Sequence, residues 1–231
     1  MIDVDNFEIN SHYQIKFLNK NHLNQVLCLQ DLIVKNLPDP TIYYVEPDQF
    51  FSNQLNTGKS SIGFFYGDQL VAYNMASFPS IDEENLGIDI GLKKEETLQV
   101  VQLGPGAVHP DHRKRGLLSK IAKEHPIIIK KMGYRHVCFT AAPTNYPTIK
   151  AFTDNGFLIK QLKLKFNNLF RYIFYLDLKE ECFKHPQYSV RIPSTDIESQ
   201  KFIFSLGFYG YSVLKNDNGF DIVFGHDEIK T

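Results

Sequence analysis

The segment from Ala107 to Ser119 constrains the fold of this chain more than any other stretch. An extended apolar run ends here and a long amphipathic pattern begins, with Arg113, Lys114, Arg115 and Gly116 in the junction. The N-terminus of a helix presents backbone N–H groups and partial positive charge, and both favour a bound anion. A solvated basic surface is the other interpretation, and the segment by itself leaves both open.

A helix and a strand are predicted directly after this junction. Apolar residues recur at helical spacing from Leu117 to Met132, and Gly133 is placed to end the helix. Pro126 lies within the pattern and should kink the helix or restart it. Residues 134–141 then form a buried strand. Strand, helix and strand in this order predict a βαβ unit with parallel neighbouring strands.

The N-terminal half of the chain alternates between helices and short strands. The pattern predicts a strand at 13–18, a helix at 23–37, a short helix at 47–55, a hairpin of 61–66 and 70–75, and a mostly irregular segment at 80–96. A further strand starts at Thr97 and meets Gly104-Pro105-Gly106. This tripeptide indicates either a bulge or a strand that ends at Leu103 in a turn.

The C-terminal half adds strands to the same sheet. The pattern predicts a short helix opening at Asn145, strands at 157–166 and 170–178, a helix at 195–206, and a hairpin of 208–214 and 220–224. We therefore expect one domain over 1–178. Residues 179–231 would form a helix and hairpin extension packed on that domain, and an alternative role for the extension is a homodimer contact.

Composition narrows the classes of partner. A net charge of −1 gives no general attraction to nucleic acid or to an anionic membrane. Met1–Asp5 lacks the features of a signal peptide, so we expect a cytoplasmic protein with no membrane segment. Cys28, Cys138 and Cys182 are expected as buried free thiols, and the scattered histidines indicate no metal site.

Several residues in one order carry a resemblance to a known family. Val108-x-Pro110-x-x-Arg113-x-x-Gly116-x-Leu118, a helix ending at Gly133-Tyr134, Asn145 and the pair Gly156-Phe157 resemble the acetyl-CoA-binding core of the GNAT N-acetyltransferase superfamily. The match is close over 97–157 and looser over 13–178. The resemblance implies a mixed α/β (α+β) fold. Its central sheet would be mostly antiparallel, with a splayed parallel strand pair, flanking helices and the C-terminal extension.

The resemblance also implies roles for individual residues. Backbone N–H groups from Lys114 to Ser119 would hold the pyrophosphate of acetyl-CoA, while the N–H of Val108 would contact the thioester oxygen and Asn145 the pantetheine arm. The cofactor-binding set implied in this way is Ala107, Val108, His109, Arg113, Lys114, Arg115, Gly116, Leu117, Leu118, Ser119, Asn145 and Phe152.

The chain departs from the family pattern at three places. Leu118 stands where a small residue is usual, Phe152 stands where a tyrosine often serves as the acid, and residues 97–108 carry no carboxylate to act as base. Tyr146 is the substitute acid, although an aromatic ring packed at a helix start is the alternative. The base would be a relay through Gln102 or an acidic residue from the loops.

Two functions follow from the resemblance. The first is transfer of an acetyl group from acetyl-CoA to a small-molecule or peptide amine by direct attack in a ternary complex. The second is a non-catalytic acyl-CoA-binding or regulatory module, which the missing tyrosine and carboxylate favour. Nucleic-acid binding through Arg113, Lys114 and Arg115 has no second basic stripe to support it.

Overall fold

The computed structural model describes residues 12–56, 58, 60–179 and 186–227. Cys182 and the Met1–Asp5 segment lie outside these ranges. The described residues form two compact units, the first from 12–78 and 101–134 and the second from 79–100 and 135–227. Within the ranges described, every helix is too short or too polar to cross a bilayer.

The first unit contains an antiparallel run of strands in the order β1-β2-β3-β4. Its strands and helices are β1 (Gln14–Phe17), α1 (Leu23–Lys35), α2 (Asp48–Leu55), β2 (Ile62–Tyr66), β3 (Gln69–Ser77), most of β4 (Val100–Val108) and α5 (Leu117–Lys131). The predicted hairpin of β2 and β3 is confirmed, with Gly67 in the left-handed conformation at its turn. A core of side chains from α1, α2 and β3 holds this unit together.

The face that α1 turns to the core explains one wrong prediction. Val26, Leu29 and Ile33 recur at helical spacing and are buried. Cys28 lies on the opposite face of the same helix and is exposed, so its predicted burial is wrong. Cys138 is buried in the second unit as predicted, and burial raises the pKa of its thiol.

Helix α5 continues through Pro126. Of the two predicted alternatives at Pro126, the restart is therefore wrong, and the kink stays a prediction. Proline removes one backbone hydrogen bond, but buried Ile121 and Ala122 before it, and Ile128 and Ile129 after it, hold both halves against the core. Gly133 then ends the helix with a φ of +92°, as predicted.

A bulge interrupts the pairing of β3 with β4. Asn74 pairs with Gly106 and Ala76 pairs with Leu103, so two residues of β4, Gly104 and Pro105, stand opposite one residue of β3. The strand continues beyond the tripeptide to Val108. The bulge interpretation is therefore confirmed, and the turn after Leu103 is wrong.

The second unit contains strands in the order β5-β7-β6-β9-β10-β8. Its strands and helices are α3 (Leu86–Asp89), α4 (Lys94–Thr97), β5 (His136–Ala141), α6 (Tyr146–Thr153), β6 (Leu158–Lys165), β7 (Leu169–Asp177), β8 (Tyr188–Pro193), α7 (Ile197–Ser205), β9 (Tyr209–Asn216) and β10 (Gly219–His226). All of these strand pairs are antiparallel. The predicted C-terminal helix and hairpin are present, whereas β8 was not predicted.

A parallel strand pair begins in the second unit. The N–H groups of Arg135 and His136 donate to the carbonyl of Gln99 (3.3 and 3.0 Å), so β4 and β5 start side by side. The predicted mixed, mostly antiparallel sheet with a parallel pair and flanking helices is confirmed. The domain boundary at 178/179 stays a prediction.

Candidate active site

The corner between β4 and α5 is built from three short pieces of backbone. The N–H of His109 donates to the carbonyl of Val71 (2.8 Å), which prolongs the pairing of β4 with β3 by one residue. A 3₁₀ turn over Pro110–His112 follows, and the ring of His109 caps it by accepting from the N–H of Asp111 (3.2 Å). The chain then reverses over residues 113–116 and enters α5.

Two residues of the reversal have left-handed backbone. Lys114 has a φ of +59° and Gly116, immediately before α5, has a φ of +79°. Glycine adopts this conformation without strain, and a Cβ placed on Gly116 would meet no atom within 4 Å. The space beside Gly116 is therefore open to a ligand.

The start of α5 directs backbone N–H groups out of the helix. The first intrahelical bond runs from the N–H of Lys120 to the carbonyl of Gly116 (3.0 Å), so the amides of Leu117 and Leu118 precede the ladder. The first turn of α5 carries no acidic side chain. The Leu117 side chain is buried, Leu118 is half-buried and Ser119 is exposed. The leucine at position 118 therefore leaves the helix start intact.

Charge at the corner is positive and accessible to solvent. Arg113, Lys114 and Arg115 are all exposed. Together with the helix dipole they favour an anion that carries more than one charge.

The backbone of Val108 points away from β3. His109 and Val71 form a hydrogen-bonded pair, so the adjacent pair of Val108 and Ala72 is a non-bonded pair of the antiparallel ladder. The N–H of Val108 is consequently directed to the other side of β4. Ala107 pairs with Tyr73 and is buried.

An aromatic cluster supports the reversal from the N-terminal side. The hydroxyl of Tyr13 lies 2.9 Å from Nδ1 of His112 and accepts from a guanidinium nitrogen of Arg115 (3.4 Å). The rings of Tyr66 and His109 lie 5.5 and 5.6 Å from that of His112. Burial and the positive charge of Arg115 lower the pKa of His112, so this ring is neutral near pH 7. Sequence reasoning missed Tyr13 because it lies 99 residues before its partner.

A carboxylate missed in the sequence lies in the loop before α2. Glu46 is half-buried, and burial raises its pKa. Its backbone carbonyl accepts from the amide of Gln30 (3.1 Å). Four residues further on, Phe50 packs at the bulge of β4, where a Cβ placed on Gly104 would lie 3.4 Å from its Cζ. The first turn of α2, which follows Glu46 in the chain, therefore lies beside β4.

The remaining predicted residues belong to the second unit. Asn145 caps α6, its side-chain oxygen accepting from the N–H of Thr148 (3.3 Å). The Tyr146 ring packs on Phe220, with 5.0 Å between ring centroids, and Lys215 Nζ lies 5.1 Å from it. These are the contacts of the packing alternative, and the acid role stays a prediction.

Phe152 lies in the aromatic core of the second unit. It is 3% exposed, and its ring centroid lies 4.3 Å from that of Phe139 and 5.0 Å from that of Phe157. These contacts account for a phenyl ring at this position, and the predicted cofactor contact is not tested by them.

Among the described residues no group of three or more histidine, cysteine, aspartate or glutamate side chains is placed to hold a metal ion.

Comparison with known proteins finds similarity in structure. No family model and no curated protein matches the chain. A putative acetyltransferase of Salmonella typhimurium, solved with its cofactor acetyl-CoA, has a TM-score of 0.57 at 14% identity, covering 76% of this chain and 99% of that one.

Two further solved structures have the same kind of similarity. An acetyltransferase of the GNAT family from Streptococcus pneumoniae has a TM-score of 0.54 at 11% identity, covering 71% of this chain and 98% of that one. The ribosomal-protein-S18-alanine N-acetyltransferase of Escherichia coli has a TM-score of 0.52 at 12% identity, covering 74% and 96%. The chain therefore has the fold of the GNAT N-acetyltransferase superfamily.

Proposed function

We propose that this protein is an N-acyltransferase that moves an acetyl group from acetyl-CoA to a primary amine by direct attack in a ternary complex. The observation that carries the proposal is the corner at residues 113–119. There, three exposed cationic side chains meet the first turn of a 15-residue helix in a chain with the GNAT fold. Fold alone does not define chemistry, so the argument depends on this corner.

The corner fits the pyrophosphate of coenzyme A. The space beside Gly116 is open, the first turn of α5 carries no acid, and the amides of Leu117 and Leu118 point outward. Arg113 and Arg115 add charge that a diphosphate requires and a neutral ligand does not. Asn145 keeps its predicted role as a hydrogen-bonding partner of the pantetheine arm.

The backbone of β4 would stabilise charge on the reacting carbonyl. Acetyl-CoA supplies an acetyl group that is activated as a thioester. The N–H of Val108, which is directed away from β3, would donate to the thioester oxygen as negative charge develops there. A fixed backbone donor is well suited to this role because it needs no side-chain reorganisation.

We assign the base to Glu46. The attacking nitrogen loses a proton during transfer, and β4 itself carries no carboxylate. Glu46 lies four residues before Phe50, which packs beside β4, and burial raises the pKa of Glu46, which makes it a stronger proton acceptor than an exposed glutamate. Tyr146 remains the acid in this proposal, although a thiolate also departs without one.

The acceptor class is a small-molecule or peptide amine. The structurally similar Escherichia coli protein is named for an alanine of a ribosomal protein, which brings peptide N-termini into the set to be tested. The cytoplasmic location and the homodimer contact stay predictions.

Thiol release from acetyl-CoA with a panel of small amines and peptides tests the proposal. We expect an amine-dependent rate well above hydrolysis, and Glu46→Gln should lower kcat by about 100-fold or more while CoA affinity is unchanged. Asp48→Asn, an exposed carboxylate two residues away, is the matched control and should retain the wild-type rate.

The second candidate is a non-catalytic acyl-CoA-binding module. The packing of Phe152 in a core and of Tyr146 on Phe220 favours it, because neither ring is engaged in a catalytic arrangement. Saturable CoA binding without turnover for any amine would establish this candidate. Absence of CoA binding would reject both.

A further inference from the structure

A chain of buried polar groups runs from α5 to the bulge of β4. His125, on α5, is fully buried; its Nδ1 lies 2.7 Å from Oδ1 of Asn74 and its Nε2 lies 2.7 Å from the carbonyl of Ser60. Asn74, on β3, is 5% exposed. Its side-chain nitrogen lies 3.5 Å from the carbonyl of Gly104, the first residue of the bulge.

Asn74 also occupies the space beneath the bulge. A Cβ placed on Gly106 would lie 2.9 Å from the side-chain nitrogen of Asn74 and 3.2 Å from the carbonyl of Tyr73. The amide of Asn74 therefore fills the volume that any side chain at position 106 would need.

The loop before β2 anchors the other end of the network. The Ser61 hydroxyl accepts from the N–H of Ala76 (3.1 Å), and the Ser60 hydroxyl donates to the carbonyl of the same residue (3.5 Å). Both serines are buried. Because Ser60 also contacts His125, one imidazole ring joins three segments of the first unit: α5, the loop at 60–61, and β3.

An apolar side chain of similar size at the position of His125 would avoid the free-energy cost of burying a polar group. Burial lowers the pKa of His125 to about 4, so the ring is neutral near pH 7 and carries a single N–H. Both ring nitrogens face oxygen atoms, so this proton bonds only one of them; on Nδ1 it donates to the Asn74 oxygen and leaves the Asn74 NH2 group to donate to Gly104. A buried polar group that is merely tolerated costs stability. The imidazole supplies a direction-specific bond to Asn74 that an apolar side chain would lack.

We propose that His125 and Asn74 are positioning residues for the proposed acyl transfer, and that they hold the bulge at Gly104–Pro105 and thereby set the direction of the Val108 N–H. The inference rests on the proposed function. Without the bulge, β4 would slip by one residue against β3 beyond Leu103. Val108 would then take a hydrogen-bonded place in the ladder, and its N–H would turn toward β3.

The phosphate corner does not depend on this network. Residues 113–119 follow the bulge and are supported by Tyr13, whose hydroxyl contacts His112 and Arg115 without involving β3. Loss of the network should consequently impair the acyl-transfer step and leave CoA affinity nearly unchanged. A general loss of folding would lower both together.

The experiment compares His125→Leu, Asn74→Ala and His125→Gln with Ile128→Ala, a buried apolar change one turn further along α5. Each variant is studied at the same interval below its own unfolding midpoint. Amide hydrogen exchange within residues 104–108 is measured without ligand at every residue except Pro105, which has no N–H. The kcat for the best amine and the dissociation constant of CoA are measured on the same preparations.

We expect His125→Leu and Asn74→Ala to raise exchange at residues 104–108 by about 10-fold, the factor that corresponds to one lost hydrogen bond. They should lower kcat by at least about the same factor, with CoA affinity within about twofold of wild type. His125→Gln retains a donor and should recover part of the kcat. Ile128→Ala should leave exchange at 104–108 and kcat near wild type.

Three results would overturn the proposal. They are unchanged exchange at 104–108 in His125→Leu and Asn74→Ala, an equal rise in Ile128→Ala, and parallel losses of kcat and CoA affinity. A wild-type protein that shows no turnover would reject the proposed function and the role in transfer with it. The exchange measurement would still decide whether the network holds the bulge.

Discussion

Substitution of the two glycines that flank α5 separates phosphate binding from backbone strain. Gly116 and Gly133 have φ values of +79° and +92°, and a Cβ placed on either would meet no atom within 4 Å. A glutamate at either position pays ~1–2 kcal/mol for the left-handed conformation. The dipole of α5 favours a negative charge at the N-terminal end and opposes it at the C-terminal end, by about 0.3–1 kcal/mol. Gly116→Glu should therefore lose about 1 kcal/mol of stability and Gly133→Glu about 2 kcal/mol.

For CoA binding we expect the opposite order, with Gly116→Glu losing more affinity than Gly133→Glu. A carboxylate at position 116 would lie beside the diphosphate, and two like charges at ~4 Å repel by about 4 kcal/mol when the effective dielectric constant is about 20. Solvent screening reduces this figure at an exposed corner. A loss of about 2.7 kcal/mol or more, which is at least 100-fold in affinity, remains the expectation. Gly133→Glu should bind CoA as wild type does.

Isothermal titration with CoA and urea unfolding of both variants test this prediction. The expected result is that the more destabilised variant, Gly133→Glu, retains CoA affinity and the less destabilised one, Gly116→Glu, loses it. Equal affinity in the two variants would refute the assignment of the phosphates to this corner. A stability order opposite to the predicted one would refute the dipole argument.

Three further predictions concern charge, pH and packing. Arg113→Gln should weaken CoA binding by about 5- to 10-fold and flatten its salt dependence, measured by titration at several ionic strengths. Burial raises the pKa of Asp177, but the hydrogen bonds from Arg135 outweigh it and the pKa is lowered. The destabilisation caused by Arg135→Gln should therefore be full above pH 4 and should vanish as the pH falls through the pKa of Asp177 in the folded protein. Urea unfolding of both proteins at each pH measures this difference in stability. Gly210→Ala would place a Cβ 3.0 Å from Ile159, where β9 pairs with β6, so we expect a loss of about 1–3 kcal/mol and faster proteolysis of the C-terminal strands.

Helix α5 and the bulge of β4 were predictable because the residues that specify each of them are contiguous in sequence. The apolar stripe from Leu117 to Met132 and the glycine that ends it predict α5 without reference to the rest of the chain. The tripeptide Gly104-Pro105-Gly106 predicts a break in the ladder, and the register confirms a bulge. Strand β8 was not predicted, although Tyr188, Val190 and Ile192 alternate with polar residues as they do in a strand; it is an edge strand with five of its six residues exposed.

The candidate site was predictable only in part, for a physical reason. The basic corner is a contiguous segment, so its cationic residues and its glycine are recognised together in the sequence. Asn74 and His125 lie 51 residues apart, and each looks like an isolated polar residue within an apolar pattern. A buried polar group needs a partner, but only the fold shows which one. Glu46 was not predicted as the base for a related reason, because burial and not sequence context distinguishes it from the other acidic residues.

The backbone amides at the start of α5 provide the most direct test of the central claim, which is that this corner binds the pyrophosphate of coenzyme A. CoA is titrated into ¹⁵N-labelled protein while the amide resonances are followed. We expect the amides of Leu117 and Leu118 to shift most strongly and to saturate with one CoA per chain, while the amide of Gly133 at the other end of the helix stays in place. Saturable binding that shifts other amides and leaves Leu117 and Leu118 unchanged would contradict the claim, as would the absence of any shift at millimolar CoA.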